Sequence, residues 1–407
     1  MEKTMMILGA SALQVPAIKK AKEMGYRMIL VDYDENAVGF PLADVKLVVS
    51  TLDQEEVYRQ ALIYRPDVVM TSTSDGPVRT AAYVNEKLGK RPDLSYEDSL
   101  CATIKSRMRD RLREKGVPIP EYYAAADFEE FKAAAERLNG YCIVKPADNA
   151  GSRGVVLLDG GKESGRQEEW KEVYAYSRSH SRNGVVMVEE FMTGAEVSVE
   201  AMTVEGKTQI ITVTDKYITP PPYFVELAHC EPSSLPDGVQ ERIKEVALRA
   251  VAAIGLQNGP SHTEIKVTQE GPKVVELAAR LGGDFITSRL VPLSTGVDMV
   301  GASVELAAGL ETDISPKWRK GAAVHFLQAP DTGVIRNIFV PEEAHRLRGV
   351  EEIVLYKKAG EAVYGTRSSN DRLGHVITAA DTPEEAMEIG KRAMELIQIE
   401  WCAGDIS

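Results

Sequence analysis

Two glutamates in the second half of the chain, Glu264 and Glu276, have the spacing of a paired-carboxylate site. They lie twelve residues apart around a turn centred near Glu270, in the stretch HTEIKVTQEGPKVVELAAR. In an antiparallel hairpin these carboxylates face each other, with Cβ atoms about 5 Å apart. Mg²⁺ is commonly held by one or two carboxylates plus phosphate oxygens, and a cation relieves such a like-charge pair. The sequence therefore predicts a divalent-metal site, although a surface hairpin with two solvated glutamates fits the same spacing.

A polar, glycine-containing loop lies between two apolar runs in YCIVKPADNAGSRGVVLL. The loop carries Gly151, Ser152 and Gly154, and Lys145 stands at the end of the strand before it. The backbone N–H groups of such a turn can close over phosphate oxygens, and a lysine can neutralise phosphate charge. We therefore predict a phosphate-binding flap here, with an ordinary polar hairpin as the alternative.

A second candidate phosphate lysine is Lys105. It lies on a basic helix that the sequence predicts from Cys101 to Lys115, before the breaker GVPIP. Most of the other cations on this helix are expected to be solvated, so Lys105 competes with the interpretation of a plain charged face. These other cations are Arg107, Arg109, Arg111, Arg113 and Lys115.

Further polar residues follow apolar strands. In VVMVEEFMTGAEVSVEAM the backbone at a strand edge can hydrogen-bond a flat heterocycle, and Glu196 can accept from ribose hydroxyls. His262 lies two residues before Glu264 and on the same strand face, where it can orient a substrate or accept an amine proton. A structural histidine fits equally well. Glu226 and His229, in a proline-rich segment, are candidates for an acceptor pocket or for no chemical role.

The elements that must position these residues alternate at first and then become mainly antiparallel. Over the first ~95 residues, strands and helices alternate as in a parallel α/β unit. A helix over ADFEEFKAAAERLNG, strands over VVMVEEF, EVSVEAMTV and KTQIITVTDKYI, and a helix from Gly238 to Ile254 follow. The closing helix is predicted to begin after Thr382, with Pro383 in its first turn.

The N-terminal turn GASALQ resembles a dinucleotide fingerprint only in its position. It follows a strand and precedes a helix, with Asp32 at the end of the next strand. However, Ser11 and Gln14 occupy the second and third glycine positions of G-x-G-x-x-G. We therefore favour a tight turn in a doubly wound domain over a nicotinamide or flavin site. A pocket for part of a substrate at these strand ends remains an alternative.

Composition restricts the function classes. The 407 residues carry a net charge of −13, which disfavours nucleic acid and anionic membranes as main partners. The four cysteines have no paired spacing, no apolar run reaches membrane length, and MEKTMMILGA leads directly into a strand. We expect a soluble cytoplasmic protein whose cysteines lie in a reducing compartment.

Together these motifs, in this order, resemble the ATP-grasp superfamily of ADP-forming carboxylate ligases over roughly residues 5 to 380. The resemblance implies an α/β and α+β fold, in which an N-terminal Rossmann-like domain precedes two lobes that clasp ATP. The implied domains are an N-terminal α/β domain (1–97), lobe A with the glycine loop (98–184), a central lobe with adenine hinge and metal hairpin (185–314) and a C-terminal α+β subdomain (315–407).

The resemblance also implies roles for individual residues. Lys105 and Lys145 match the ATP-phosphate lysines, with the segment from Gly151 through Ser152 to Gly154 as the loop over the phosphates. Glu264 and Glu276 match the Mg²⁺ (or Mn²⁺) ligands. Arg280 matches the arginine beside the reacting phosphoryl group, and Glu196 the ribose-binding carboxylate. The adenine hinge, acting largely through its backbone, matches Glu189, Glu190, Phe191 and Met192.

Within the superfamily, GPSHTEIK and VVELAARLGGDFITSRL are most similar to L-amino acid ligases that form dipeptides. The implied reaction joins a carboxylate to an amine through an acyl phosphate, in a possible homodimer. A carboxylase or ribosylamine ligase of the purine-synthesis type, or a catalytically weak nucleotide-binding protein, are the alternatives. One position departs from the pattern: Ala278 stands where many members carry a metal-binding asparagine. This puts a second Mg²⁺ in doubt.

Overall fold

The computed structural model describes residues 3–90, 93–148, 153–161, 167–221, 223–329 and 332–402. The N-terminal region contains a parallel sheet in the order β3-β2-β1-β4. Alternate residues of β1 enter different hydrophobic clusters, Met5 and Ile7 on one face and Met6 and Leu8 on the other. Helices therefore cover both faces, as the alternating sequence pattern predicted. The elements are β1 (Thr4–Leu8), α1 (Val15–Glu23), β2 (Arg27–Asp32), β3 (Val45–Val48), α2 (Gln54–Tyr64), β4 (Val68–Met70) and α3 (Gly76–Lys87).

The predicted basic helix is two helices, so its predicted start at Cys101 was wrong. Helix α4 (Tyr96–Cys101) ends before an extended residue, Ile104, and α5 (Lys105–Glu114) begins after it. The amide of Lys105 donates to the carbonyl of Ala147 at 2.7 Å. This contact fixes the first turn of α5 beside the chain that enters the glycine loop.

Lobe A is an antiparallel sheet in the order β5-β8-β6-β7. It is formed by β5 (Tyr122–Ala125), β6 (Tyr141–Pro146), β7 (Val156–Asp159) and β8 (Val186–Glu190), with α6 (Phe128–Leu138) and α7 (Gln167–Ser179). The central strand β8 leads directly into the predicted hinge. It pairs within this sheet although the implied boundary assigns it to the central lobe; the domain boundaries themselves stay a prediction.

An antiparallel sheet of eight strands carries most of the polar residues singled out above. Its order is β13-β12-β9-β10-β11-β14-β18-β16, so it extends from the metal hairpin into the C-terminal region. A small sheet, β17-β15-β19, lies beyond it. The strands are β9 (Ala195–Val204), β10 (Lys207–Ile218), β11 (Glu226–Glu231), β12 (Gly259–Thr268), β13 (Gly271–Ala278), β14 (Gly321–Leu327), β15 (Thr332–Phe339), β16 (Val350–Leu355), β17 (Ala362–Tyr364), β18 (Gly374–Ala380) and β19 (Gln398–Trp401).

The remaining helices pack against this sheet and at its edges. In α12, Thr382 accepts a hydrogen bond from the Glu385 amide and Pro383 is the first residue, as predicted. The helices are α8 (Asp237–Ala253), α9 (Val291–Thr295), α10 (Met299–Ala307), α11 (Glu342–Arg346) and α12 (Pro383–Leu396), and a π-helical turn spans Ile286–Leu290.

Within the described ranges, no single helix combines the length and apolar character needed to cross a membrane. The segments Ile286–Thr295 and Met299–Ala307 meet that test only as a pair, bent by 114° at their break. The cysteines Cys101, Cys142, Cys230 and Cys402 are all free thiols.

Candidate active site

The carboxylate pair lies in a β12–β13 hairpin, and Glu264 is directly opposite Glu276. The predicted opposition of the two glutamates is confirmed, although the predicted position of the turn was not accurate, and metal binding stays a prediction. Near the turn Thr268 pairs with Gly271, so the turn is centred half a residue earlier than expected. A register shift after Glu264 leaves Val275 unpaired and restores the opposition of the two glutamates. A β-bulge therefore sets the site.

Each of these carboxylates holds a buried lysine. Glu276 Oε1 lies 2.8 Å from Lys105 Nζ, and Glu264 Oε1 lies 2.8 Å from Lys216 Nζ. Burial opposes ionisation of Glu264, but Lys216 and His262 outweigh it and hold its pKa well below the ordinary value. The Oε2 atoms of Glu264 and Glu276 have no hydrogen-bond partner within the described residues. One oxygen of each is thus left for a cation.

Lys145 and the first hinge residue form a second buried ion pair. Lys145 Nζ lies 2.7 Å from Glu189 Oε2, and a fork from Arg109 binds the same carboxylate through Nε at 2.8 Å and Nη2 at 2.9 Å. Burial raises the pKa of Glu189, but Arg109 and Lys145 outweigh it and lower the pKa to about 2. Burial lowers the pKa of Lys145, and Glu189 offsets this only in part. We call Lys105, Arg109, Lys145, Glu189 and Glu276 the nucleotide-side cluster.

The expectation of a largely solvated helix was wrong for Arg109. This side chain is 0% exposed, and it also donates to the carbonyls of Val274 at 3.0 Å and Val275 at 2.7 Å. Lys105 precedes it by one helical turn, so both side chains project from the same face of α5 onto β13. The spacing of four residues between Lys105 and Arg109 was the feature of the sequence that predicts a shared helix face.

The backbone of the predicted adenine hinge is only partly engaged. The Glu190 amide donates to Glu121 at 2.8 Å and the Phe191 amide to Tyr141 at 3.2 Å. The amide of Met192 has no acceptor in the described part of the chain. The Glu190 side chain turns away to Lys273, at 3.2 Å. A flat heterocycle would therefore find its backbone donor at Met192.

Glu196, the predicted ribose carboxylate, is held by two lysines. Its Oε1 lies 3.0 Å from Lys216 and its Oε2 lies 3.0 Å from Lys266. Lys216 therefore bridges Glu196 and Glu264 on neighbouring strands. The contact with ribose stays a prediction. Lys216 was not among the predicted site residues. It lies two residues after the buried Thr214 on β10 and therefore faces the same side of the sheet.

His262, on β12, lies between Glu264 of the same strand and the buried Glu200 of β9. Its Nδ1 is 2.7 Å from Glu200 Oε1, and its Nε2 is 3.5 Å from Glu264 Oε1. Burial opposes protonation of His262, but Glu200 outweighs it and raises the pKa to about 9. On β13 the residue opposite His262 is Ala278, the position that lacks the usual asparagine. The imidazole thus lies on the same sheet face as that position.

Arg280 reaches the N-terminal domain. Its Nε donates to Asp75 Oδ1 at 2.7 Å, and the neighbouring Leu281 amide donates to the Ser72 carbonyl at 3.0 Å. Burial raises the pKa of Asp75, but Arg280 outweighs it and the net shift is downward. The parallel sheet therefore contributes an acid from its carboxyl edge to the site.

The glycine loop is described only in part, because Gly151 and Ser152 lie outside the described residues. Gly154 has φ +79°, and a Cβ atom there would lie 2.8 Å from atoms of Pro146 and of His180. Asp148 accepts from the amides of Arg182 at 2.9 Å and Asn183 at 3.0 Å. The two ends of this loop are thus anchored to the chain before β8.

A second polar cluster, which we call the acceptor-side cluster, comprises Glu226, His229, Asp284 and Arg372. Arg372 donates to Asp284 through Nη1 and Nη2, both at 2.9 Å, and Nη2 also lies 2.9 Å from Glu226 Oε2. His229 Nε2 lies 3.4 Å from Asp284 Oδ2. Arg372 is 3% exposed and stacks on Phe326, 3.6 Å from the ring centroid. Despite burial, His229 and Arg372 lower the pKa of Asp284.

The structure places Glu226 and His229 in one cluster. The other two members, Asp284 and Arg372, were not among the predicted site residues. Asp284 and Phe285 have φ +50° and +65°, unusual for residues with side chains. No local pattern predicts that an arginine of the C-terminal region binds an acid 88 residues away.

The turn GASALQ is filled by protein. Gln14 is buried; its Oε1 accepts from Ser11, and its Nε2 donates to Thr73 at 2.8 Å and Ser74 at 2.9 Å. A Cβ at Gly9 would lie 3.1 Å from Gln14 Cδ. The side chain thus occupies the space beside this turn, in line with the interpretation of a tight turn.

Comparisons with known proteins identify two domains in the chain. A family model described as the ATP-grasp domain matches residues 138–288, and L-amino acid ligase C-terminal domain 2 matches residues 325–401. The chain is 30% identical over 318 residues to the protein named uncharacterized protein y4rH of Sinorhizobium fredii, covering 78% of this chain and 64% of that protein. It is 28% identical over 342 residues to alanine–anticapsin ligase of Bacillus subtilis, covering 75% and 70%.

A solved structure shares the whole fold. The L-amino acid ligase of Bacillus licheniformis superposes with a TM-score of 0.84 at 20% sequence identity, covering 98% of this chain and 99% of that one. The two matched domains lie in the order that the sequence motifs predicted. The charged residues of those motifs contact one another in buried ion pairs. The chain therefore contains an ATP-grasp domain, followed by the C-terminal domain of the L-amino acid ligases.

Proposed function

We propose that the protein is an ATP-dependent, ADP-forming ligase that joins a carboxylate to an amine, with an amino acid as at least one of the two substrates. The observation that carries this proposal is the placement of Lys105 on Glu276, beside Lys145 and Glu189. The two lysines proposed to bind phosphate, Lys105 and Lys145, thus lie in the same group of ion pairs as Glu276, one of the two opposed carboxylates. The matched L-amino acid ligase domain and the alanine–anticapsin ligase relative support the amino acid substrate.

The residues present fit a divalent cation supplied with the nucleotide. Glu264 and Glu276 each keep one unpartnered oxygen, and no group of three or more His, Cys, Asp or Glu side chains suited to a metal occurs in the described residues. Two carboxylates with the remaining positions left to phosphate and water is the arrangement that Mg²⁺ favours. Bound there, the cation would neutralise charge on the phosphates.

For the first step, a carboxylate oxygen of one substrate attacks the γ-phosphorus of ATP, and the bond to ADP breaks. Phosphoryl transfer depends mainly on positioning and charge neutralisation. Lys105 and Lys145 supply positive charge, and Arg280, held by Asp75 of the N-terminal domain, supplies more. The loop that ends at Gly154 would exclude water, which otherwise hydrolyses the acyl phosphate.

For the second step, a neutral amine attacks the acyl carbon, the C–N bond forms and phosphate leaves. We assign the amine to the acceptor-side cluster, where Glu226 Oε1 has no partner among the described residues while Oε2 is bound by Arg372. Glu226 can therefore hold the amine and accept the proton that it gives up. His262 has both nitrogens directed at carboxylates, which supports an orienting role rather than a proton-accepting one.

Measurement of ADP release tests the proposal. The purified chain is incubated with MgATP and pooled amino acids, and products are identified by mass spectrometry. We expect ADP release to depend on amino acids and a peptide or amide product to accumulate. Stimulation by bicarbonate alone would instead support a carboxylase, and absence of turnover with intact MgATP binding would support a nucleotide-binding protein.

A matched pair of lysine variants separates site chemistry from general charge. Lys145→Met removes the buried lysine, whereas Lys171→Met removes a lysine of helix α7 that is 52% exposed and pairs with Glu168 on the same helix. We expect Lys145→Met to lose turnover by roughly 100-fold or more, since it removes a charge that faces the phosphates. Lys171→Met should retain it. Equal activity of the two variants would contradict the phosphate role.

A further inference from the structure

We propose that Arg109 is the positioning residue that makes Lys145 available to the nucleotide, by neutralising Glu189 and by bracing the bulge that aligns the metal carboxylates. This inference rests on the proposed function, because it concerns the same nucleotide site.

The first step is the charge balance around Glu189. Within the described residues Lys145 has one ion-pair partner, the Glu189 carboxylate, at 2.7 Å. A buried lysine and a buried carboxylate by themselves form a neutral pair that has little reason to open for a ligand. Arg109 binds both oxygens of the same carboxylate, so the three groups carry one net positive charge. That charge can be used by a phosphate.

The second step is geometric. An arginine fork satisfies a carboxylate in a bidentate manner, which a lysine cannot do. Arg109 Nε and Nη2 each bind one oxygen of Glu189. Lys145 can therefore leave Glu189 for phosphate without exposing a buried, unpaired carboxylate, whose cost would otherwise oppose binding.

The third step links Arg109 to the metal hairpin. Val275 is the unpaired residue of the β13 bulge, and its carbonyl accepts from Arg109 Nη2 at 2.7 Å; the Val274 carbonyl accepts from Nη1 at 3.0 Å. A bulge leaves backbone groups without their ladder partners, and buried groups of that kind must be satisfied otherwise. The same guanidinium therefore supports the register that sets Glu276 opposite Glu264.

A rescue experiment tests the charge argument. We compare wild type, Arg109→Met, Glu189→Gln and the double variant for MgATP and MgADP affinity by titration calorimetry. Arg109→Met should bind nucleotide roughly tenfold or more weakly, since Lys145 and Glu189 then form a closed pair. In the double variant Lys145 has no carboxylate to hold it, so affinity should recover at least severalfold from that of Arg109→Met. The difference that remains from Glu189→Gln alone measures the loss of the bulge that Arg109 braces. A double variant no tighter than Arg109→Met would overturn the proposal.

Arg109→Lys separates charge from mere packing. It keeps a cation beside Glu189 but loses the fork, so its nucleotide affinity should lie between wild type and Arg109→Met. Affinity equal to that of Arg109→Met would show that charge at this position does not act on Lys145 and would overturn the proposal. Thermal unfolding of each variant identifies loss of the fold, which Glu189→Gln would not repair.

A nucleotide-free measurement keeps this inference distinct from the proposed function. Side-chain NMR of selectively labelled lysine gives the pKa of Lys145 in the chain alone. It should rise in Arg109→Met, because a neighbouring positive charge is lost, and fall again in the double variant. An unchanged value would overturn the role of Arg109 even in a protein that binds MgATP. Failure of wild type to bind MgATP, with these pKa changes present, would overturn only the nucleotide assignment.

Discussion

The two polar clusters of the cleft have opposite charge balance. The nucleotide-side cluster sets three cations, Lys105, Arg109 and Lys145, against two carboxylates. The acceptor-side cluster sets one permanently charged cation, Arg372, and the His229 imidazole against the carboxylates of Glu226 and Asp284. Both are largely buried, so the unbalanced charge is weakly screened on each side. One side is thereby suited to an anion such as phosphate, and the other to an amine.

The contrast also explains which paired groups are free to change partners. On the nucleotide side a bidentate arginine secures the shared carboxylate, so a lysine can move. On the acceptor side the arginine itself is locked by two acids and the Phe326 ring, and the unpartnered atom is a carboxylate oxygen of Glu226. Arg372 fixes the Glu226 carboxylate through one oxygen, and the other oxygen can accept a hydrogen bond from a positively charged or proton-donating ligand.

The largest effect should come from Glu276→Gln, which tests whether the nucleotide side carries the metal. Removing one of two opposed carboxylates leaves a cation with a single protein ligand, and Lys105 loses its ion pair. We expect Mg²⁺-dependent ADP release to fall by about 100-fold or more. The lost ion pair with Lys105 also lowers the unfolding temperature, so activity is compared well below that temperature. The control is Glu270→Gln, in the turn of the same hairpin, where the side chain is 76% exposed. Activity of Glu276→Gln equal to that of Glu270→Gln would refute the metal assignment.

The next effect concerns His262 and the pH dependence of stability. The folded-state pKa of His262 is raised to about 9, with Glu200 outweighing burial. A raised pKa of a base stabilises the fold below its unfolded value of 6.5, and this stabilisation is lost as pH rises through about 9. We expect wild type to lose up to about 3 kcal/mol of unfolding free energy over this interval that His262→Gln does not lose.

Urea unfolding of both proteins between pH 6.5 and pH 9.5 measures this difference. Changes common to both chains cancel, so only the wild-type excess at low pH is informative. A difference between the two proteins that stays constant with pH would show that His262 is a packing residue of fixed protonation. The result would also sharpen the comparison, because His262 lies beside Glu264, one of the two predicted metal carboxylates.

A smaller effect is expected on the acceptor side. Glu226→Gln removes the charge of the carboxylate with the unpartnered oxygen, while Asp284 keeps its two bonds from Arg372. We expect the KM for the amine substrate to rise about tenfold, the usual scale for one charged hydrogen bond, with the KM for ATP unchanged. Steady-state kinetics with each substrate varied in turn distinguishes the two. A rise in the KM for ATP alone would reverse the assignment of the two clusters.

The opposition of Glu264 and Glu276 was predictable because both residues belong to one short hairpin. Glu264 and Glu276 pair within one hairpin, where register follows from local spacing. Even here the prediction placed the turn half a residue late, and the bulge at Val275 compensated. Hairpin register depends on turn and bulge together, and the sequence QEGP did not reveal the bulge.

Long-range partners were not predictable in the same way. Arg109 binds a carboxylate 80 residues away and looked like one of several solvated cations on a basic helix. Arg372 binds Asp284, 88 residues before it, and neither residue stands in a pattern that identifies it. The parallel N-terminal sheet and most element boundaries followed from periodicity, since these depend on neighbours in sequence. Charge pairing across lobes depends on the tertiary fold, which periodicity does not specify.

The smallest expected effect is that of Lys266→Met, and it tests how far the nucleotide side depends on each cation. Glu196 has a lysine on each oxygen, and only Lys216 also reaches Glu264. Removing Lys266 leaves Glu196 paired, so we expect a loss of about 1 kcal/mol of unfolding free energy and about a threefold change or less in the KM for ATP. The matched variant Lys216→Met leaves Glu264 and part of Glu196 uncompensated, and its loss should be several-fold larger. Equal losses in the two variants would mean that bridging by Lys216 adds nothing, and that the cations of this cleft act singly rather than as a connected network.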